Sequence, residues 1–167
     1  MTQTKLRSAT TLDFPFIHKI ASRTANLEFI EDSPDAVLQA FIDDTDAALV
    51  IWEHDDVPAG FALFNELDHP YSQAELRRLA LDQTDKGYGQ QFLKDLICFG
   101  FESLNKDRVW LDVAPHNARA IRTYQKAGFQ QDKTATSVWH RPDGVSVDLL
   151  VFNCVQSVWT QEDQRSA

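Results

Sequence analysis

Lys86-Gly87-Tyr88-Gly89 stands directly ahead of an apolar helical pattern, in a chain that has only six glycines. Two side-chain-free positions at the mouth of a helix let the backbone come very close to a ligand. The N–H groups of the turn, from Thr84 through Asp85, Lys86, Gly87, Tyr88 and Gly89 to Gln90, have no helical partner. They lie at the positive end of the helix dipole, and Lys86 adds a full charge. Such a turn can hold a phosphate or diphosphate, although the same residues also make a plain tight turn. Two familiar phosphate motifs are excluded by missing residues. No Gly-Lys-Ser/Thr follows at P-loop spacing, and Phe92 stands where a dinucleotide fingerprint needs its third glycine. Further on, Asn117 and Tyr124 are seven residues apart, so both lie on one face of a helix. Upstream, Glu75 sits in the segment leading to the turn. On its residues alone it reads as a solvated strand-end carboxylate paired with Arg77 or Arg78.

The elements that must position these groups follow from pattern. Lys5 to Thr10 reads as a first strand. Thr11 or Asp13 can cap a helix with Pro15 in its first turn. Ser33 and Pro34 open another, with Val37, Leu38 and Phe41 as its apolar stripe. Ala47–His54 and Ala59–Leu67 form a hairpin across "HDDVP". Ala74–Asp82 is a third strand. From Gln90 to Leu104 the apolar residues Phe92, Leu93, Leu96, Ile97, Phe101 and Leu104 recur at helical spacing. Arg108–Ala114 alternates as a strand, with Val109, Leu111 and Val113 set against Trp110 and Asp112. A helix then runs from an Asn117 cap to a Gly128 stop. A closing hairpin turns at Pro142-Asp143-Gly144. The tail after Trp159 is polar and is expected to fray. The strand–helix–strand unit from Ala74 to Ala114 requires a parallel crossover among otherwise antiparallel strands. On strict alternation, Glu75 shares a face with Arg77, Leu79 and Leu81.

The length of 167 residues suits one domain spanning 1–167. Sixteen basic and 25 acidic residues give a net charge of −9, which disfavours nucleic acid and anionic membrane and tolerates cationic partners such as amines. Cys98 and Cys154 fall in apolar runs and read as buried thiols of a reducing compartment. No Cys/His spacing suits zinc, and no metal is expected. The opening "MTQTKLRSAT" has no apolar core, and no segment approaches the length of a membrane span. A cytoplasmic protein is the expectation.

From Ala59 to Phe129 the chain resembles the GNAT N-acetyltransferase superfamily, and in particular its branch acting on ribosomal-protein N-termini, polyamines and small amines. The family's cofactor signature, Gln/Arg-x-x-Gly-x-Gly/Ala, is met by Thr84-Asp85-Lys86-Gly87-Tyr88-Gly89, with Thr84 in place of the usual Gln or Arg. The second signature is met by Asn117, Ala120, Tyr124, Gly128 and Phe129. The resemblance implies a single-domain α/β fold whose mixed, mostly antiparallel sheet is splayed in the middle and flanked by helices. It implies acetyl-CoA as cosubstrate and an amine acceptor, either a small molecule or a protein N-terminus, with direct transfer. The pantetheine arm would run along the backbone of Leu79, Ala80 and Leu81. An amide of Leu81 or Ala80 would face the acyl oxygen, and Asn117 would also contact the arm.

On its residues alone, Tyr124 reads as aromatic packing; the resemblance makes it the general acid. Glu75 takes the base position, with Glu66, Asp68 and His116 in reserve. Arg77, Arg78, Arg119 and Arg122 could meet an anion, but solvated surface is the simpler reading of each. Phe29 and Ile30 could line the acceptor pocket. A catalytically silent acyl-CoA-binding module is the competing function, and the closing hairpin could pair across a homodimer.

Overall fold

A computed structural model describes residues 2–160; the expectation of a frayed tail therefore falls mostly on residues outside the described ones. The strands are β1 (Thr4–Ser8), β2 (Ala48–His54), β3 (Val57–Asn65), β4 (Gln73–Leu81), β5 (Arg108–Val113), β6 (Gln130–His140) and β7 (Ser146–Val155). The helices bounded within the described residues include α1 (Phe14–Ala21), α2 (Thr24–Leu27), α3 (Asp35–Asp43), α4 (Gly89–Cys98) and α5 (Ala118–Ala127). The strands make one seven-stranded sheet in the order β1-β2-β3-β4-β5-β7-β6. Among the described strands only β4 and β5 pair in parallel, joined through α4 as the crossover pattern requires.

Local chemistry explains most boundaries. Asp55 and Asp56, with φ of 52° and 63°, make the tight turn between β2 and β3. Thr10, not Thr11, caps the first turn, in a reciprocal capping box with Asp13. Asn117 caps α5 by accepting from the Ala120 amide at 3.3 Å, and Gly128 stops it at φ 113°.

Several expectations are corrected. Ser33 does not cap α3; it is buried, and its hydroxyl accepts instead from Arg78 at 2.8 Å. Leu38 is buried, but Val37 points to solvent. The short α2 carries no sequence signal, since one turn is too brief for a periodic stripe. The long predicted helix splits: after Cys98 the chain continues as a π-helical turn over Phe99–Ser103, closed by the Leu104 amide on the Phe99 carbonyl at 2.9 Å.

Both sheet faces are covered. Val50, Trp52, Ala62, Phe64, Leu76 and Val109 pack with Phe92, Leu96 and Ile97 of α4. Leu49, Ile51, Phe61 and Leu63 face the other way, against Phe14, Ile17 and Ile20 of α1 and Leu38 of α3. The alternation within β2 and β3 is therefore apolar on both sides. At Gly100 a Cβ would sit 2.5 Å from Val109 Cγ2. Gly100→Ala should therefore destabilise the fold by about 1–3 kcal/mol through overpacking, read as a lower urea midpoint at unchanged slope.

A β-bulge in the β3–β4 pairing overturns one expectation that bears on the site. The register runs Leu63↔Arg78 and then Phe64↔Leu76, so Arg77 is the extra residue. The insertion reverses the alternation. Leu79 and Leu81 pack against the α4 side of the sheet with Ala74 and Leu76. Glu75 thus lies on the opposite face from Leu79 and Leu81, not on a shared one.

Candidate active site

The β4–β5 ladder is short. It holds at Gln73↔Arg108, Ala74↔Val109 and Glu75↔Trp110 and stops there. Beyond Glu75 the two strands diverge, and a cleft of about 690 Å³ opens in the gap. Glu75, Leu79, Ala80, Leu81, Thr84, Gly89, Asn117, Ala120 and Tyr124 all line it. The structure thus brings residues from the strand, the turn and α5 to one place. Asp85, Lys86, Gly87, Tyr88 and Gln90 are not among the residues that line it.

The open edge of β4 has a definite polarity. The Asp82 amide donates to the Ala59 carbonyl at 2.8 Å, which makes Gly60↔Leu81 a non-hydrogen-bonded pair. By alternation, Ala80 exchanges its bonds with Phe61, and Leu79 and Leu81 turn theirs to the cleft. The expectation that the Ala80 amide could face an acyl oxygen is therefore corrected, because β3 already uses it.

The turn is anchored from three sides. Arg23 donates to both the carbonyl and the carboxylate of Asp82, and Lys19 lies 3.3 Å from that carboxylate. Tyr88 turns inward, stacking on His54 with ring centroids 4.2 Å apart. Gln90 donates to the Thr123 carbonyl at 3.1 Å. Gly87 adopts φ 76°, which a side chain would strain, and no atom lies within 4 Å of the place its Cβ would take. No side chain caps α4, and its first helical bond is from Phe92 to Tyr88. The amides ahead of Phe92 are left for an anion.

Glu75 carries the most perturbed carboxylate of the cleft. Its pKa is pushed up to about 7, first by burial, then by the negative charges of Asp112 and Glu66, with Arg77 and an Asn65 hydrogen bond opposing. Asp112 is itself raised, mainly by burial, and accepts from the Ser137 hydroxyl at 2.8 Å. Tyr124 is raised above the ordinary phenol value by burial and by Asp112, so it is a neutral donor at physiological pH. Its ring meets Phe129 edge-on at 6.0 Å. Tyr124 packs on the α4 side of the sheet and Glu75 belongs to the other face, so the two reach the cleft through the split from opposite sides.

The reserve groups are placed elsewhere or are already engaged. Glu66 accepts from Trp110 Nε1 at 3.1 Å and Gln73 Nε2 at 3.3 Å. The Asp68 amide donates to Asp46, outside the cleft lining. His116 Nε2 lies 2.8 Å from Glu28 Oε1 at the rim, its ring 5.4 Å from that of Phe29. Phe29 and Ile30 do line the cleft. Arg78 is committed to Ser33 and to Glu31 at 3.5 Å, while Arg77 is exposed at the cleft wall. Sequence reasoning passed over Asp112, Asn65 and Ser137. For Asp112 a signal existed: strand alternation sets it opposite the core, two residues beyond the partner of Glu75.

The model of the acetyltransferase (GNAT) family matches residues 14–129. The chain belongs to that family. GNAT-family members use acetyl-CoA, and the donor set described above fits it: an uncapped helix end for a diphosphate and an unpaired strand edge for an amide-bearing arm. The spermidine N-acetyltransferase of Vibrio cholerae, solved with CoA and spermine, has the same fold, with a TM-score of 0.78 at 19% identity, covering 95% of this chain and 98% of that one. An uncharacterized N-acetyltransferase p20 of Bacillus licheniformis is 26% identical over 110 residues, 65% of this chain. An aminoglycoside N(6')-acetyltransferase type 1 of Klebsiella pneumoniae is 37% identical over 68 residues, 41% of this chain. The chain spans 61% and 32% of the length of these two curated relatives. Among the described residues, no helix of this GNAT chain is long and apolar enough to cross a membrane.

Proposed function

We propose that the chain transfers an acetyl group from acetyl-CoA directly to the primary amine of a small cationic acceptor. The observation that carries this reading is the split between β4 and β5, where the Glu75 carboxyl and the Tyr124 phenol enter from opposite faces beside an unpaired strand edge. Acetyl-CoA supplies the acyl group already activated as a thioester. The amides ahead of Phe92 bind phosphate oxygens, and the Leu79 and Leu81 backbone orients the pantetheine arm, with Asn117 as a further donor. The Leu81 N–H is the donor for the acyl oxygen. One such donor contributes about 3 kcal/mol of transition-state stabilisation. Glu75, ionised above about pH 7, accepts a proton from the acceptor's ammonium at its carboxylate. Tyr124 holds its proton at Oη and can give it to a departing sulfur.

The acceptor side of the cleft is lined by Glu31, Glu75 and Asp112 together with Phe29, Trp110 and Trp139. Carboxylates among aromatic faces suit an organic cation. Polyamines and aminoglycosides, the acceptors named for the relatives above, share that chemistry.

Thiol release from acetyl-CoA with a panel of spermidine, an aminoglycoside and a short peptide with a free N-terminus tests the proposal. Turnover with one of the two polycations, above that with the peptide, is expected. CoA binding without turnover on any amine would instead identify a silent acyl-CoA-binding module.

A further inference from the structure

We propose that Arg119 supplies from α5 the guanidinium that the glycine turn lacks at Thr84, and that it binds the diphosphate of the cofactor there. This rests on the acetyl-CoA reading above. Arg119 Nη2 donates to the Thr84 carbonyl at 2.8 Å, across 35 residues of sequence. The contact sets the guanidinium against the backbone of Thr84, the residue that stands where the family signature carries Gln or Arg. Arg119 lines the cleft beside Thr84 and Gly89. Among the described residues it has no ion-pair partner, so its charge is not neutralised within the protein. A guanidinium carries five N–H donors in a fixed fork. One donor fixes the turn, and the others remain for a doubly charged oxyanion.

Of the other cations near the turn, two are held by a carboxylate and two lie outside the cleft lining. Arg23 and Lys19 are held by Asp82. Lys86 and Arg122 are exposed and do not line the cleft. Arg119 is thus the cation that faces the turn from the cleft side. Its helix is also held in register with the turn. Gln90 reaches the Thr123 carbonyl, and Thr123 Cγ2 lies 3.7 Å from where a Gly89 Cβ would be. The arginine and the turn amides therefore form one preorganised anion site, built from both signatures rather than from the turn alone.

Calorimetric titration of the full chain with CoA, dephospho-CoA and pantetheine tests this. Arg119→Ala should weaken CoA and dephospho-CoA alike, by about tenfold or more, and leave pantetheine unchanged. Adding Thr84→Arg to Arg119→Ala should recover part of the loss, because the guanidinium returns from the turn itself. Melting of the unliganded variants should match that of the wild type. Unchanged CoA affinity in Arg119→Ala would overturn the proposal. So would a loss confined to CoA, which would place Arg119 on the 3′-phosphate, or an equal loss for pantetheine, which would mean that α5 had shifted. Failure of Thr84→Arg to restore any affinity would overturn it as well. If the wild type binds none of the three ligands, the acetyl-CoA reading itself falls, a result distinct from a wild type that binds and an Arg119→Ala variant that binds equally well.

Discussion

Tyr124→Phe lowers kcat for acetyl transfer by about a hundredfold or more and leaves the affinity for CoA within twofold of the wild type. The substitution keeps the ring, and with it the edge contact on Phe129 and the packing of α5 on the sheet. It removes only the hydroxyl. That hydroxyl makes no hydrogen bond among the described residues, and its ring lines the cleft. Burial and the nearby Asp112 carboxylate hold it neutral, so the proton it offers is present across the working pH range. A leaving thiolate that must depart unprotonated meets a higher barrier, and the cost falls on turnover rather than on binding. Steady-state thiol release together with calorimetry separates the two. A kcat within twofold of the wild type would remove Tyr124 from the mechanism and leave it as a packing residue.

Glu75→Gln has the second large effect, and its signature is a pH profile. In the wild type kcat/KM should rise with pH through an inflection near 7, where Glu75 becomes ionised and able to accept a proton. Glutamine cannot accept that proton. The inflection should vanish, and kcat/KM at pH 8 should fall by about a hundredfold. An inflection that survives the substitution would transfer the base role to another group, with Asp112, the other carboxylate of the cleft whose pKa is raised, the first candidate. Stability should move the opposite way. The folded pKa lies above the ordinary value of 4.5, so the folded state binds a proton that the unfolded chain has released. The contribution of Glu75 to stability is then greatest below about pH 4.5 and declines as pH rises toward 7, where a charged carboxylate must be kept buried near Asp112 and Glu66. Glu75→Gln relieves this burden, and the variant should melt higher than the wild type at pH 8 with little difference at pH 4.5. Activity and stability thus respond in opposite directions to one substitution, as befits a charge held for chemistry rather than for folding.

These expectations differ in how far they can be reached from sequence. The turn at Gly87 and Gly89, the Asn117 cap, the Gly128 stop and the crossover between β4 and β5 are all local or topological. A residue type and its neighbours suffice to specify them. For the same reason the antiparallel hairpin through Asp55 and Asp56 and the closing hairpin at Gly144 fall where composition puts them. Ser33 illustrates the limit. Its type and place before Pro34 suit a cap, yet a buried arginine 45 residues away needs its hydroxyl more. The end of α4 is similar: the apolar spacing is helical throughout, but close approach to Val109 at Gly100 accompanies a wider turn.

The pattern of residues along the chain determined the family, the order of the strands and the glycine turn at the mouth of α4, because each depends on side-chain type and short-range spacing. Tertiary structure decided which atoms those groups can use. The bulge at Arg77 turns Glu75 away from Leu79 and Leu81, and the register with β3 takes up the Ala80 amide while freeing that of Leu81. The fold also draws in Asp112 and lays Arg119 on Thr84. Each of these is set by hydrogen bonding or packing between segments far apart in the chain. A one-residue insertion in a strand reverses every side chain beyond it, and no local preference at Arg77 announces that insertion.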